Sequence, residues 1–181
     1  MHEQARAGGR KQLIFMILVA AGSLGGSYAL FYAAQSGSIW GTTNHGAFVD
    51  PPVDAKALAI VDADGAPLAV TETWWLWVVR SEPCDAPCTE ALHQLRQLHI
   101  LLNREADRVK RALVTPAPIN PGALEELYPD LEFLTGRVEG LRPGIYIVDP
   151  LGNLVFRYSI EAAGKPVLED LRRLLKVSQI G

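Results

Sequence analysis

The chain has 181 residues, of which 49% are apolar and 20% charged, and its net charge is −3. That length and apolar content can build one packed domain with a further segment left over. A mildly acidic balance, with Lys and Arg scattered along the chain, excludes the basic footprint of a nucleic-acid binder, so no nucleic-acid partner is expected.

The leftover segment is N-terminal. Residues 1–12 are a polar tail, and Leu13 to Ala34 carries no charged residue. At ~1.5 Å per residue a helix of that length crosses a ~30 Å hydrocarbon core. Arg6, Arg10 and Lys11 precede it, and the next basic residue is Lys56. This asymmetry predicts a cytoplasmic N-terminus and a remainder on the far side of the membrane. A cleaved signal peptide ordinarily has an apolar region of only ~7–15 residues, so residues 13–34 read as an uncleaved transmembrane helix. Residues 35–55 contain Ser36, Gly37, Ser38, Gly41, Gly46, Pro51 and Pro52 without periodicity and read as a linker. Trp40 suits the aromatic belt at the interface, and residues 42–46 would follow close to the outer surface.

Residues 56–181 form the domain. Ala57–Val61 and Leu68–Thr71, around Asp62-Ala63-Asp64-Gly65, predict a hairpin. The run Trp74 to Val79 is apolar throughout and predicts a strand buried on both faces. Leu92, Leu95, Leu98 and Leu102 recur at helical spacing and predict a helix over Thr89–Ala106. A strand follows over Arg108–Thr115, then a short helix over Pro121–Tyr128 and a strand over Leu131–Leu134. Ile145–Val148 and Leu154–Tyr158 predict a second hairpin, and Lys165–Val177 a closing amphipathic helix. Strands alternating with helices make this an α/β domain with a parallel central sheet and an antiparallel edge.

The only two cysteines lie in Ser81-Glu82-Pro83-Cys84-Asp85-Ala86-Pro87-Cys88, between the buried strand and the helix. Pro87 suits a first helical turn, and Asp85 or Thr89 suits the cap. Cys84 is then expected just before the helix and Cys88 within its first turn. A helix N-terminus favours a thiolate, whereas the adjacent Asp85 opposes one. The pair can close a disulfide, which the far side of a membrane permits, or hold one soft ion such as Cu(I). A loop this short stabilises the fold little, so a purely structural bond is the weaker reading.

Cys84-Asp85-Ala86-Pro87-Cys88-Thr89-Glu90 followed by a leucine-rich helix resembles the Sco/SenC proteins, and Tyr146-Ile147-Val148-Asp149-Pro150-Leu151-Gly152 does so again. The resemblance covers roughly residues 56–181. It implies a thioredoxin-like domain on a membrane anchor, facing the periplasm from the bacterial inner membrane. It also implies a role in cytochrome c oxidase assembly, with oxidase subunit II as partner and copper as the ion handled by Cys84 and Cys88. The family's copper site adds a histidine shortly before the strand that carries Tyr146. Here Val138 to Gly144 has none, and no histidine follows His99. His93 points elsewhere on the helix, His99 lies ~16 Å along it, and His45 is in the linker. Pro143, immediately before a strand, resembles the proline that thioredoxin keeps in cis beside its redox cysteines. The catalytic set implied is therefore Cys84 as attacking thiol, Cys88 as resolving thiol and Pro143 at the substrate contact. A general thiol–disulfide oxidoreductase and a non-catalytic membrane-anchored interaction module are the alternatives.

Overall fold

The computed structural model describes residues 3–35, 43–68, 70, 72–178 and 180. Trp40 and the rest of 36–42, and Ala69 and Thr71 of the predicted hairpin, lie outside the described residues. The chain forms two compact units, which divide between Thr43 and Asn44.

Among the described residues the first unit contains one helix, α1 (Glu3–Gln35). Its stretch Gly9–Gln35 is long and apolar enough to cross a membrane. Leu13, Phe15, Leu18, Leu24 and Phe31 are all exposed on it, which suits hydrocarbon surroundings, and the helix satisfies its own backbone there.

The second unit contains β1 (Ala47–Asp54), β2 (Trp74–Val79), α2 (Ala86–Leu101), β3 (Val109–Thr115), α3 (Ala123–Leu127), β4 (Leu131–Thr135), β5 (Gly144–Val148), β6 (Asn153–Tyr158) and α4 (Lys165–Val177). Six strands form one sheet in the order β1-β6-β5-β2-β3-β4. β2, β3 and β4 run parallel, whereas β5, β6 and β1 are joined by antiparallel pairings. The central strand β2 is buried at every residue. Trp74, Leu76 and Val78 pack with Cys88, Leu92, Leu95 and Leu98 of α2 and with Val167, Leu171 and Leu175 of α4. Trp75, Trp77 and Val79 point the other way, into Leu58, Ile60, Val70 and Val138. Both faces of β2 are thus covered, which is why its sequence shows no alternation.

Two expectations change. The stretch read as a linker supplies the edge strand: β1 pairs with β6, from Ala47↔Arg157 to Asp54↔Asn153. Pro51 and Pro52 hid it, since proline removes ladder donors and is tolerated in a sheet only at edges and bulges. The register is irregular between Phe48 and Val53, where the two prolines sit. The front hairpin, in turn, is reduced among the described residues to one antiparallel bridge, Val61↔Pro67, with Leu68 N–H donating to the Ile60 carbonyl and Asp62 N–H to that of Ala66. Asp54 caps a 3-10 turn over Ala55–Leu58, and Val61 also bridges Thr135. The Asp62–Gly65 turn is present, with Asp62 Oδ1 accepting from the Asp64 and Ala66 amides. The main helix also starts earlier and ends sooner than expected. Asn103, at φ 53°, breaks it, and a 3-10 stretch continues to Arg108.

The start of β1 is tied down by one carboxylate. Asp170 of α4 is only 2% exposed. Its Oδ2 accepts from the His45 amide at 2.7 Å, the Gly46 amide at 2.9 Å and the Tyr158 hydroxyl at 2.8 Å. Burial and this carboxylate push the Tyr158 hydroxyl far above the ordinary phenol range, so it remains a donor. Removing the acceptor orphans the buried Gly46 amide and Tyr158 hydroxyl and the part-buried His45 amide. Asp170→Ala is therefore expected to lower stability by about 3 kcal/mol in chemical denaturation.

Beside it, His45 Nε2 bonds Glu169 Oε2 at 2.8 Å. That bond, with help from Lys165, holds the Glu169 carboxyl below its ordinary value. A depressed folded-state value stabilises above the ordinary carboxylate range and is lost as pH falls through the depressed one. Melting temperature should therefore fall less steeply on acidification in Glu169→Gln than in the parent; equal slopes would refute the link.

Candidate functional site

The thiol loop leaves β2 at its C-terminal end and enters α2. Asp85 is the helix cap: its backbone is extended and its Oδ1 accepts from the Cys88 amide at 3.1 Å. Pro87 lies in the first turn, where no amide donor is needed. This cap places Cys84 before the helix and Cys88 inside it, as the sequence predicts. Cys84 and Cys88 are joined in a disulfide with their Cα atoms 5.2 Å apart.

The two sulfurs differ in access. Cys88 is completely buried against Leu92 and the β2 face, whereas Cys84 is half-buried at the rim of the same cluster. Only Cys84 is reachable by a thiol on another molecule. The Thr89 hydroxyl lies 4.0 Å from Cys84 Sγ and donates to the Asp85 carbonyl at 3.0 Å. The Tyr128 hydroxyl donates to the Thr89 carbonyl at 3.1 Å, bracing the first turn from α3. Burial, with Glu90 acting the same way, pushes the Tyr128 hydroxyl above its ordinary range and keeps it a donor.

Arg80 and Tyr128 are the residues that the sequence reading did not assign. Arg80 follows β2, is 13% exposed at its side chain, and places its guanidinium 3.0 Å from Asp85 Oδ2. The Asp85 carboxylate beside Cys84 is therefore paired, not free. The sequence signal for Arg80 is slight: it is the first charge after an apolar strand, five positions before an acidic cap. Nothing local in the sequence points to Tyr128, which reaches the helix from α3.

Pro143 lies at the same end of the sheet, because Gly144 pairs with Val79, the last residue of β2. It is exposed. Its peptide bond is trans, and the cis bond among the described residues is Asp50–Pro51. The sequence leaves the isomer at Pro143 open, and the structure has it trans. Gly144 itself cannot carry a side chain, since a Cβ there would collide with the Tyr158 carbonyl.

The described histidines are engaged elsewhere. His93 is exposed and bonds Gln97. His99 Nε2 lies at 3.0 and 2.8 Å from the carbonyls of Ala106 and Val109. His45 is held by Glu169 and Asp170. Among the described residues, no cluster of three His, Cys, Asp or Glu side chains is present. The soft-donor set at the site is therefore the two sulfurs alone. Only the reduced pair could ligate a soft ion, and two sulfurs do not reproduce a three-ligand site.

A family model described as transmembrane-like, thioredoxin-like, C-terminal domain matches residues 74–178. A search of curated proteins found no match. Among solved structures, apo Sco1 from Thermus thermophilus is similar with a TM-score of 0.56 and 18% identity, over 73% of this chain and 97% of that one. Yeast Sco1 with copper bound is similar with a TM-score of 0.55 and 17% identity, over 76% and 96%. A SCO1/SenC family lipoprotein from Bacillus anthracis gives 0.50 and 16%, over 71% and 97%. At these identities the likeness is one of fold, and it establishes the thioredoxin-like architecture.

The access difference predicts an order of modification. After reduction, iodoacetamide should label Cys84 well before Cys88, as peptide mass spectrometry would show; equal or inverted labelling would contradict the geometry. Asp85→Ala should cost about 1 kcal/mol of stability, and Asp85→Asn, which keeps the cap acceptor, clearly less.

Proposed function

The chain belongs to the family of transmembrane-like, thioredoxin-like C-terminal domains, and on that premise we propose that it is a membrane-anchored thiol–disulfide protein that assists cytochrome c oxidase assembly. The domain faces the periplasm from the bacterial inner membrane, and oxidase subunit II is the partner. The observation that carries this reading is the Cys84–Cys88 bridge at the N-terminus of α2, with Cys84 half-buried and Cys88 fully buried. The basic residues Arg6, Arg10 and Lys11 before the uncharged stretch from Leu13, and their absence from 12–55, support the orientation. The fold shared with copper-bound yeast Sco1 supports copper as cargo.

In the reduced protein, the Cys84 thiolate attacks one sulfur of a partner disulfide. The partner's bond breaks, a mixed disulfide forms, and the leaving sulfur takes a proton. Cys88 then loses its proton and attacks Cys84 Sγ, which releases the partner's second sulfur and closes the Cys84–Cys88 bridge. The partner gains two electrons and two protons, and a dithiol reductant on the same side of the membrane restores the starting state. The helix N-terminus favours negative charge on sulfur at the moment of attack. Arg80 holds the Asp85 charge in an ion pair 3.0 Å away. Pro143 sits at the sheet end where the partner's backbone would lie. Delivery of Cu(I) from the same two sulfurs to the partner's reduced thiols is the second step the site can support.

The test is to trap the partner. Cys88→Ser in the full chain is expected to accumulate a reductant-sensitive adduct with oxidase subunit II, which Cys84→Ser does not form. Adducts spread over many unrelated proteins would mean a general oxidoreductase. Oxidase assembly unchanged in the double serine variant would leave a non-catalytic interaction module. Copper handling requires Cu(I) bound by the reduced full chain and lost in Cys84→Ser.

A further inference from the structure

A cleft of about 290 Å³ opens on the sheet face opposite α2, lined by Ala47–Asp50 of β1, the Gly140–Arg142 loop, Tyr146 and Arg157. Pairing across the strands sets its floor: Ala47 faces Arg157, Arg157 faces Tyr146, and Tyr146 faces Trp77. Tyr146 is buried and donates its hydroxyl to the Arg142 carbonyl at 2.8 Å, which holds the 140–142 loop as one wall. Its hydroxyl, raised above the ordinary range by burial, feels both guanidiniums pulling it back down. The lining thus gathers two guanidiniums against the single carboxylate of Asp50.

Two features give this cleft a use. Among the described residues, neither the Arg142 nor the Arg157 guanidinium has an ion-pair or hydrogen-bond partner, whereas Arg80, Arg96, Arg111, Arg137 and Arg172 all do. The other wall is β1, the last strand of the sheet, whose outer edge pairs with no strand among the described residues. An open edge takes an added extended segment through its free backbone groups, and paired guanidiniums take carboxylates. The position matters too. Arg142 is two residues before Gly144, which pairs with Val79 where the thiol loop leaves β2.

We propose that this cleft grips the redox partner: an extended acidic peptide segment lies along the open edge of β1 with its carboxylates on Arg142 and Arg157, and so presents the partner's cysteine toward Cys84. This assignment of the substrate class rests on the thiol-exchange reading above. It makes the preferred substrate a cysteine flanked by Asp and Glu. Charge selects the partner and speeds its arrival, while the sulfur chemistry stays at Cys84.

The test uses the full chain in neutral detergent and two fluorescent peptides, one rich in Asp and Glu around a serine, the other its Asn/Gln counterpart. The acidic peptide should bind, and raising salt should weaken it. Arg142→Gln and Arg157→Gln should each weaken it about fivefold and the double variant more, whereas Arg→Lys at either position should recover part of the loss. Equal binding of both peptides, or binding untouched by the double variant, overturns the proposal. So does arginine-dependent binding of phosphatidylglycerol nanodiscs combined with no peptide binding, which would assign the arginines to a lipid surface. A third peptide, with cysteine as a mixed disulfide in place of serine, separates the two readings. Charge-independent exchange at Cys84 sinks the cleft and leaves the thiol chemistry standing. Arginine-dependent binding without exchange does the reverse.

Discussion

The six residues of β2 are the constraint on which the domain depends. Every one is buried, so each face of the strand needs its own cover. The first face takes α2 and α4, and the second takes the irregular segment through Leu58, Ile60 and Val70 together with Val138. Burying a large apolar side chain is worth about 1.5–3 kcal/mol, so Trp74, Trp75 and Trp77 make this strand the energetic centre of the sheet. Because β2 is central, its end is fixed, and so is the loop that leaves it. The disulfide inherits its position from that strand, not from its own small ring.

From there the site is assembled by short-range chemistry. Asp85 ends the loop by accepting the Cys88 amide, and the same residue is paired with Arg80 at the end of β2. One carboxylate thus couples strand end, helix start and the spacing of the two sulfurs. Burial then divides their roles: Cys88 packs into the core while Cys84 stays at its rim. A symmetric pair would offer a partner two equivalent points of attack. This pair offers one, at Cys84, whose bonded partner Cys88 is fully buried.

The second anchor of the fold lies at the opposite edge. Asp170 draws the residues before β1 onto α4 and Tyr158, which lets a proline-bearing strand hold its place beside β6. This buried carboxylate is stable there because three donors surround Oδ2. Without it β1 would carry little to keep it in the sheet, because its two prolines remove ladder donors. The same edge leaves the backbone groups open beside Arg142 and Arg157.

Much of this was legible in the sequence. The thiol loop, a cap at Asp85 or Thr89, the β2 run, α4 and the apolar N-terminal helix are local features, and periodicity, turn chemistry and charge report on local features directly. The strand at Ala47–Asp54 was not legible, because Pro51 and Pro52 mark it as a loop. Only its partner β6 and the distant Asp170, more than a hundred residues along the chain, make it a strand. The same holds for Arg80 against Asp85, Tyr128 against Thr89, the trans bond at Pro143 and the pairing of Arg142 with Arg157 around one cleft. The sequence by itself determined that two thiols stand at a helix start beyond an apolar anchor, because cap, spacing and hydropathy act within a few residues. Only the tertiary structure decided which sulfur faces solvent, that the described histidines bond elsewhere and which charges stand unpaired. Burial and pairing are properties of segments brought together from far apart in the chain.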